Sequence, residues 1–300
     1  MHAMGLKVFV VLLALGATGV GIGYRATRAT GGSFVAEARS GAGAQLAEVA
    51  FDVANDVFLK AKVVAYHHLP DLAGNQVRLV DGDMVAQTDC SGFVSYVLNK
   101  SAPKHYEAVL EFARRRYVQT QQSNGAQPEE GKPLYPEAKD YADFFGTLKA
   151  GSTTHGWTGV ATVWDLRKGD IIAWGKNNWD GKGDSGHVAI VIEPPDQQLV
   201  EASVKETGAD GVEAESTVQC VNLHVLDSSA VYHFPAEELP PRARPVQKHR
   251  DGLGKGYIRL VLDSGGAPVR YWEGLYQGDV KKEIKAPSIS ADIHFGRLID

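Results

Sequence analysis

The 300-residue chain is 44% hydrophobic and 22% charged, with a formal net charge of −5. This is the balance of an ordinary soluble globular protein with apolar residues to spare for a sizeable core. It excludes a chain built to bind nucleic acid, which would show a basic excess or a basic stripe. Two cysteines, Cys90 and Cys220, are too few for a disulfide framework. They leave open one bridge, two inert thiols, or one reactive thiol and a bystander.

In chain order, residues 1–30 hold Lys7 followed by an apolar run from Val8 to Gly23. The run is short for a spanning helix, which needs roughly 20 residues. It reads as an export signal with Ala17-Thr18-Gly19 as a small-residue cleavage site, or as an uncleaved anchor that contacts the membrane. Residues 31–44, rich in Gly, Ser and Ala, read as a linker. The folded domain is then expected over 45–300. It opens with an amphipathic helix from about Gln45 to Tyr66 on the spacing of Val49, Val53, Val57, Phe58, Ala61 and Val64. A polar, irregular stretch follows to Thr88.

A second helix is expected from Ser91 to about Leu98. The segment from about 101 to 162 reads as an insertion, with one helix over Lys104 to Val118 and a Gln/Gly/Pro/Glu-rich piece that buries little. The Arg114-Arg115-Arg116 run in that helix reads as a solvated face. After Trp164 the pattern turns to short β-rich runs: Asp170–Trp174, His187–Glu193, Leu199–Val204, Val218–Leu226, Tyr257–Leu262, Val269–Trp272 and Ile293–Leu298. Helices first and strands afterwards predict an α+β fold, with N-terminal helices packed on an antiparallel β-sheet. Cys220 falls in an alternating strand and reads as a small buried hydrophobe. Gly252-Leu253-Gly254-Lys255-Gly256 reads as a flexible loop rather than a phosphate loop, since no helix follows it. Asp180–Asp184 makes a poor calcium loop because Lys182 occupies a ligand position. Trp157, Trp164, Trp174 and Trp179 either line a cleft or fill the core.

The segment that carries chemistry is Thr88-Asp89-Cys90-Ser91-Gly92-Phe93-Val94. Thr88 and Asp89 cap a helix and place Cys90 at its first turn, where unpaired N–H groups and the positive end of the dipole favour thiolate over thiol. The same donors, in the vicinity of Asp89, Ser91 and Gly92, can receive an oxyanion. Downstream, Lys168-Gly169-Asp170 reads as a turn into one strand, and His187 opens the next as a general base. A hairpin turn at Pro194-Pro195-Asp196 lies midway between His187 and Glu201, which predicts that the Glu201 carboxylate faces the imidazole and orients it.

These segments, Leu166-Arg167-Lys168-Gly169-Asp170-Ile171, Gly186-His187-Val188-Ala189-Ile190 and Leu199-Val200-Glu201-Ala202-Ser203 with the Cys90 helix, resemble the NlpC/p60 cysteine peptidases and the related CHAP amidases. The resemblance implies a papain-like NlpC/p60 fold, a Cys90-His187-Glu201 catalytic set and no metal or organic cofactor. It also implies cleavage of an amide bond in peptidoglycan, by an endopeptidase acting on the stem peptide or an amidase at the sugar–peptide link. Glu at the third position is closer to the CHAP branch. The family's upstream Tyr-x-x-Gly-Gly has no counterpart here. With the apolar N-terminus, the resemblance predicts work outside the cytoplasmic membrane, in the periplasm or beyond. Two further readings use the same residues: a thiol acyltransferase or amidase on a non-murein substrate, and a silent cell-wall-binding module.

Overall fold

The computed structural model describes residues 40–66, 77–133, 135–176, 185–195, 198–207, 213–230, 252–275 and 289–299, all within one compact unit. The N-terminal apolar segment, its cleavage site or anchor, Trp179 and the Asp180–Asp184 loop lie outside the described residues. Among the described residues no helix is long and apolar enough to cross a membrane.

Helix α1 (Ser40–Lys60) ends earlier than its apolar spacing suggests, because Ala61-Lys62-Val63-Val64-Ala65 forms strand β1 (Ala61–Ala65). The two valines favour extended backbone, and β1 finds a partner in what reads as an irregular stretch. Strands β2 (Val77–Val80) and β3 (Asp83–Gln87) form a hairpin turned at Asp81-Gly82, both with positive φ, and β1 adds to β3 in parallel. This small three-stranded sheet leads into Thr88, immediately before the helix that carries Cys90, α2 (Cys90–Ser101).

Helices α3 (Pro103–Ser123) and α4 (Ala138–Thr147), with strand β4 (Trp157–Gly159), come from the segment that reads as an insertion. They do not stand apart. Tyr141, Phe144, Phe145 and Trp157 pack in the same core cluster as Phe93, Val94 and Val97 of α2. Of the Arg114–Arg116 run, Arg114 pairs with Glu107 and Arg115 with Glu111 on the outer face, as expected, whereas Arg116 turns inward and pairs, half-buried, with Asp140 and Asp143.

The remaining strands are β5 (Ile171–Gly175), β6 (Gly186–Val191), β7 (Val200–Thr207), β8 (Glu213–Ser229), β9 (Gly252–Leu262), β10 (Pro268–Leu275), β11 (Ile289–Ser290) and β12 (Asp292–Leu298). With β4 they form an antiparallel sheet of nine strands in the order β11-β10-β9-β8-β6-β5-β12-β4, with β7 also on β8. The mixed α+β class is as expected. The glycine-rich segment from Gly252 is the start of β9 rather than a loop. It pairs with β8 along its length, and Gly252 is needed there because a Cβ would come within 2.8 Å of the Ala65 backbone.

Strand β12 sits between β5 and β4 and is held there by charge. Arg297 donates to both carboxylate oxygens of Asp170 at 2.8 and 2.7 Å and to the Asp165 carbonyl at 2.6 Å, while the Arg167 N–H also donates to Asp170 at 2.7 Å. Asp170 is fully buried. Removing one partner of such a pair strands the other charge. Arg297→Met is therefore expected to lower unfolding free energy by about 3 kcal/mol, read as a drop in urea midpoint at unchanged slope.

Candidate active site

Helix α2 begins at Cys90 because Asp89 caps it. Asp89 has extended backbone, and its Oδ1 accepts from the Gly92 N–H at 2.6 Å and the Ser91 hydroxyl at 3.0 Å. Those two groups are spent inside the cap, so Ser91 Oγ and the Gly92 amide are not oxyanion donors. The Cys90 and Ser91 N–H groups are the first-turn donors left over among the described residues. Thr88 is fixed from both sides. Its N–H donates to the Ala65 carbonyl at 3.1 Å, and its carbonyl accepts from Ser228 Oγ at 2.5 Å. The small sheet and the end of β8 thus place the nucleophile together.

His187 opens β6 behind Gly186, whose φ is 140° and whose Cβ position would lie 2.0 Å from the Trp174 carbonyl. A side chain there would push β6 off β5. Trp174, the cross-strand partner of His187, lies against the imidazole with ring centroids 5.1 Å apart and is itself backed by Tyr271 at 4.3 Å. Trp157 and Trp174 are both fully buried and Trp164 packs on the core, so these three serve packing rather than a cleft.

The expected third member is not beside the imidazole. Strands β6 and β7 do not form a hairpin ladder, since each pairs with β8 instead. Glu201 stands opposite Gln219, is exposed, and accepts from the Gln219 amide at 3.3 Å. β6 meets the same strand only at Val225 and Leu226. From Gln219 to Asp227 is eight residues of β8, about 27 Å of extended chain at roughly 3.4 Å per residue. The carboxylate that reaches His187 is Asp227, hydrogen-bonded to Nε2. The sequence signal is the alternation Val221, Leu223, Val225, Asp227. All four are fully buried, so the fourth puts a charge on an apolar strand face.

With Nε2 engaged by Asp227, His187 also lies close enough to Cys90 for each to shift the other's proton affinity. Cys90, His187 and Asp227 are 5%, 6% and 0% exposed. Burial pulls the imidazole down, but the Cys90 and Asp227 charges outweigh it and hold His187 well above the ordinary histidine range. For Cys90 the depressed value expected of a helix terminus is not what results. Burial pushes the thiol up and the Asp89 charge adds to this, while His187 and the Val188 backbone pull it only part of the way back. The two groups are therefore coupled: negative charge on Cys90 and Asp227 favours the protonated imidazole, and the protonated imidazole favours negative charge on Cys90. Cys220 is also unbridged, and burial raises it to about 11, with Arg259 opposing. Among the described residues no cluster of His, Cys, Asp and Glu could hold a metal.

Both raised groups keep their protons longer in the folded chain than in the unfolded one, so the folded state binds more protons above neutrality. Stability from His187 is complete below its unfolded value of about 6.5 and is lost as pH rises through the higher folded value. Urea midpoints are therefore expected to fall between neutral and alkaline pH. Asp227→Asn, which removes one of the two charges that raise His187, should flatten that fall.

No protein-family model and no solved structure matches the chain. It is similar to an uncharacterized protein of Acanthamoeba polyphaga mimivirus, at 25% identity over 185 residues covering 61% of this chain and 67% of that relative.

Proposed function

We propose that the chain is a thiol hydrolase of amide bonds in which Cys90 is the nucleophile, His187 the general base and acid, and Asp227 the orienting carboxylate. The observation that carries the reading is the buried Asp227–His187 hydrogen bond beside Cys90 at a helix N-terminus. In the reaction His187 holds the thiol proton, and the sulfur attacks the carbonyl carbon. The oxyanion is received by the Cys90 and Ser91 N–H groups. Imidazolium then protonates the leaving amine, giving a thioester that water hydrolyses with His187 as base. Asp227 keeps the imidazolium in one orientation and stabilises its charge throughout.

The substrate class in this reading is peptidoglycan, cleaved in the stem peptide or at the sugar–peptide link. Two things support it: the resemblance of the Cys90, Lys168-Gly169-Asp170 and His187 segments to NlpC/p60 and CHAP enzymes, and the apolar N-terminal segment as a device for export or membrane tethering. The papain-like topology, a periplasmic or extracellular place of work and independence from cofactors belong to the same proposal.

Incubating residues 40–300 with purified sacculi should release soluble muropeptides detectable by mass spectrometry. Cys90→Ser should abolish release, because a hydroxyl is not ionised by one imidazole. Cys220→Ser should leave it within twofold, as suits a thiol outside the site. Asp227→Asn should cost on the order of 10²- to 10⁴-fold in kcat, the scale of a lost orienting carboxylate, whereas Glu201→Gln should cost almost nothing. Intact sacculi with the unmodified protein, or full release by Cys90→Ser, would overturn the reading.

A further inference from the structure

The connection between α3 and α4 places one more polar group at the nucleophile. Tyr135 is 7% exposed, and its hydroxyl donates at 3.5 Å to Asp89 Oδ2, the carboxylate oxygen not used by the α2 cap. Its position is built rather than incidental. Two residues on, Glu137 opens α4 in a reciprocal capping box, with the Glu137 N–H donating to Asp140 at 2.9 Å, and Asp140 is anchored in turn by Arg116 at 2.8 Å. One helical turn further along α2, Tyr141 shares a 2.9 Å hydrogen bond with Ser95. The α3–α4 segment therefore grips the nucleophile helix through two phenols, and the first of them touches the residue that immediately precedes Cys90.

We propose that Tyr135 is a positioning residue for the thiol reaction, holding the Asp89 carboxylate by its outer oxygen and drawing its charge away from the Cys90 sulfur. This rests on the reading of Cys90 as the nucleophile and adds a device for setting its reactivity. Among the described residues, the charged and titratable groups that act on the pair are these. Asp89 and His187 act on Cys90, with Asp227 behind the imidazole, while Asp89, Glu137 and Cys90 act on Tyr135, and Tyr141 also senses Cys90. Among these Asp89 raises the thiol and His187 lowers it. Tyr135 itself is pushed far up by burial and then by Asp89, so it stays a neutral donor across the working range of pH. A neutral donor on Asp89 weakens the one neighbour that opposes thiolate formation.

The test is Tyr135→Phe in a Cys220→Ser background, read by the pH dependence of Cys90 alkylation with iodoacetamide. This readout needs no substrate and so stands even if the assignment to peptidoglycan fails. The alkylation curve should move up by about half a pH unit, which is about a threefold slower reaction at fixed neutral pH. On a cleaved substrate kcat should fall by a similar factor at unchanged KM. The melting temperature should be unchanged, whereas a tyrosine that only packs would lower it and leave the pH curve in place. In an Asp89→Asn background, where Asn still caps the helix, Tyr135→Phe should have no further effect on the curve. An unmoved curve in the first background, or an equal movement in the second, would overturn the proposal.

Discussion

Two adjacent side chains at the end of β8 hold the site together. Asp227 hydrogen-bonds the imidazole that opens β6, and Ser228 hydrogen-bonds the Thr88 carbonyl that leads into α2. Neighbouring residues of a strand point to opposite faces of the sheet, so one short piece of backbone reaches both the base and the nucleophile's lead-in. The relative placement of Cys90 and His187 is then set by a rigid strand rather than by loops, the kind of support that holds two side chains to within a fraction of an ångström. The small sheet completes the clamp from the other side through Ala65, and Gly252 lets β9 come close enough to support it.

Burial of this arrangement has an electrostatic cost that the site turns to use. A thiol and an imidazole taken out of water both prefer to be neutral. Negative charge on Cys90, with the fully buried Asp227 carboxylate behind the ring, reverses that preference for the imidazole. The outcome is a coupled pair in which charge on either partner favours charge on the other while burial opposes both. The helix terminus, which on its own favours thiolate, is outweighed by desolvation and by the Asp89 charge that caps the same helix.

Local signals in the sequence reached the parts of the site that depend on local chemistry. The Thr88-Asp89-Cys90 cap, the Lys168-Gly169-Asp170 turn and the His187 strand stand where capping residues, turn residues and alternation put them. What the sequence concealed was long-range pairing. A turn midway between His187 and Glu201 suggests a hairpin, but β8 is long enough to take β6 at one end and β7 at the other, and only the whole sheet reveals that. Asp227 was legible in principle as a carboxylate in phase with Val221, Leu223 and Val225, yet the run appears to stop at Leu226 when apolar residues alone are counted. The strands β1 to β3 were hidden for a similar reason: Ala61 to Ala65 continues the helical spacing of α1, and only the partner strand makes it extended. Asp89 carries both its cap and the Tyr135 contact, and the second of these comes from a segment whose Gln-, Gly- and Pro-rich neighbourhood advertises a surface excursion.

Strand β12 lies between β5 and β4, although it follows every other strand of the sheet in the chain. During synthesis β5 is therefore made early and must wait, with one edge unpaired, until β6 to β11 have emerged and β12 arrives to fill the gap. An open edge of that kind invites pairing with other chains. The same order of events delays the strand that carries Trp174 against His187, because the Asp170 turn that leads into β5 is not locked by Arg297 until then.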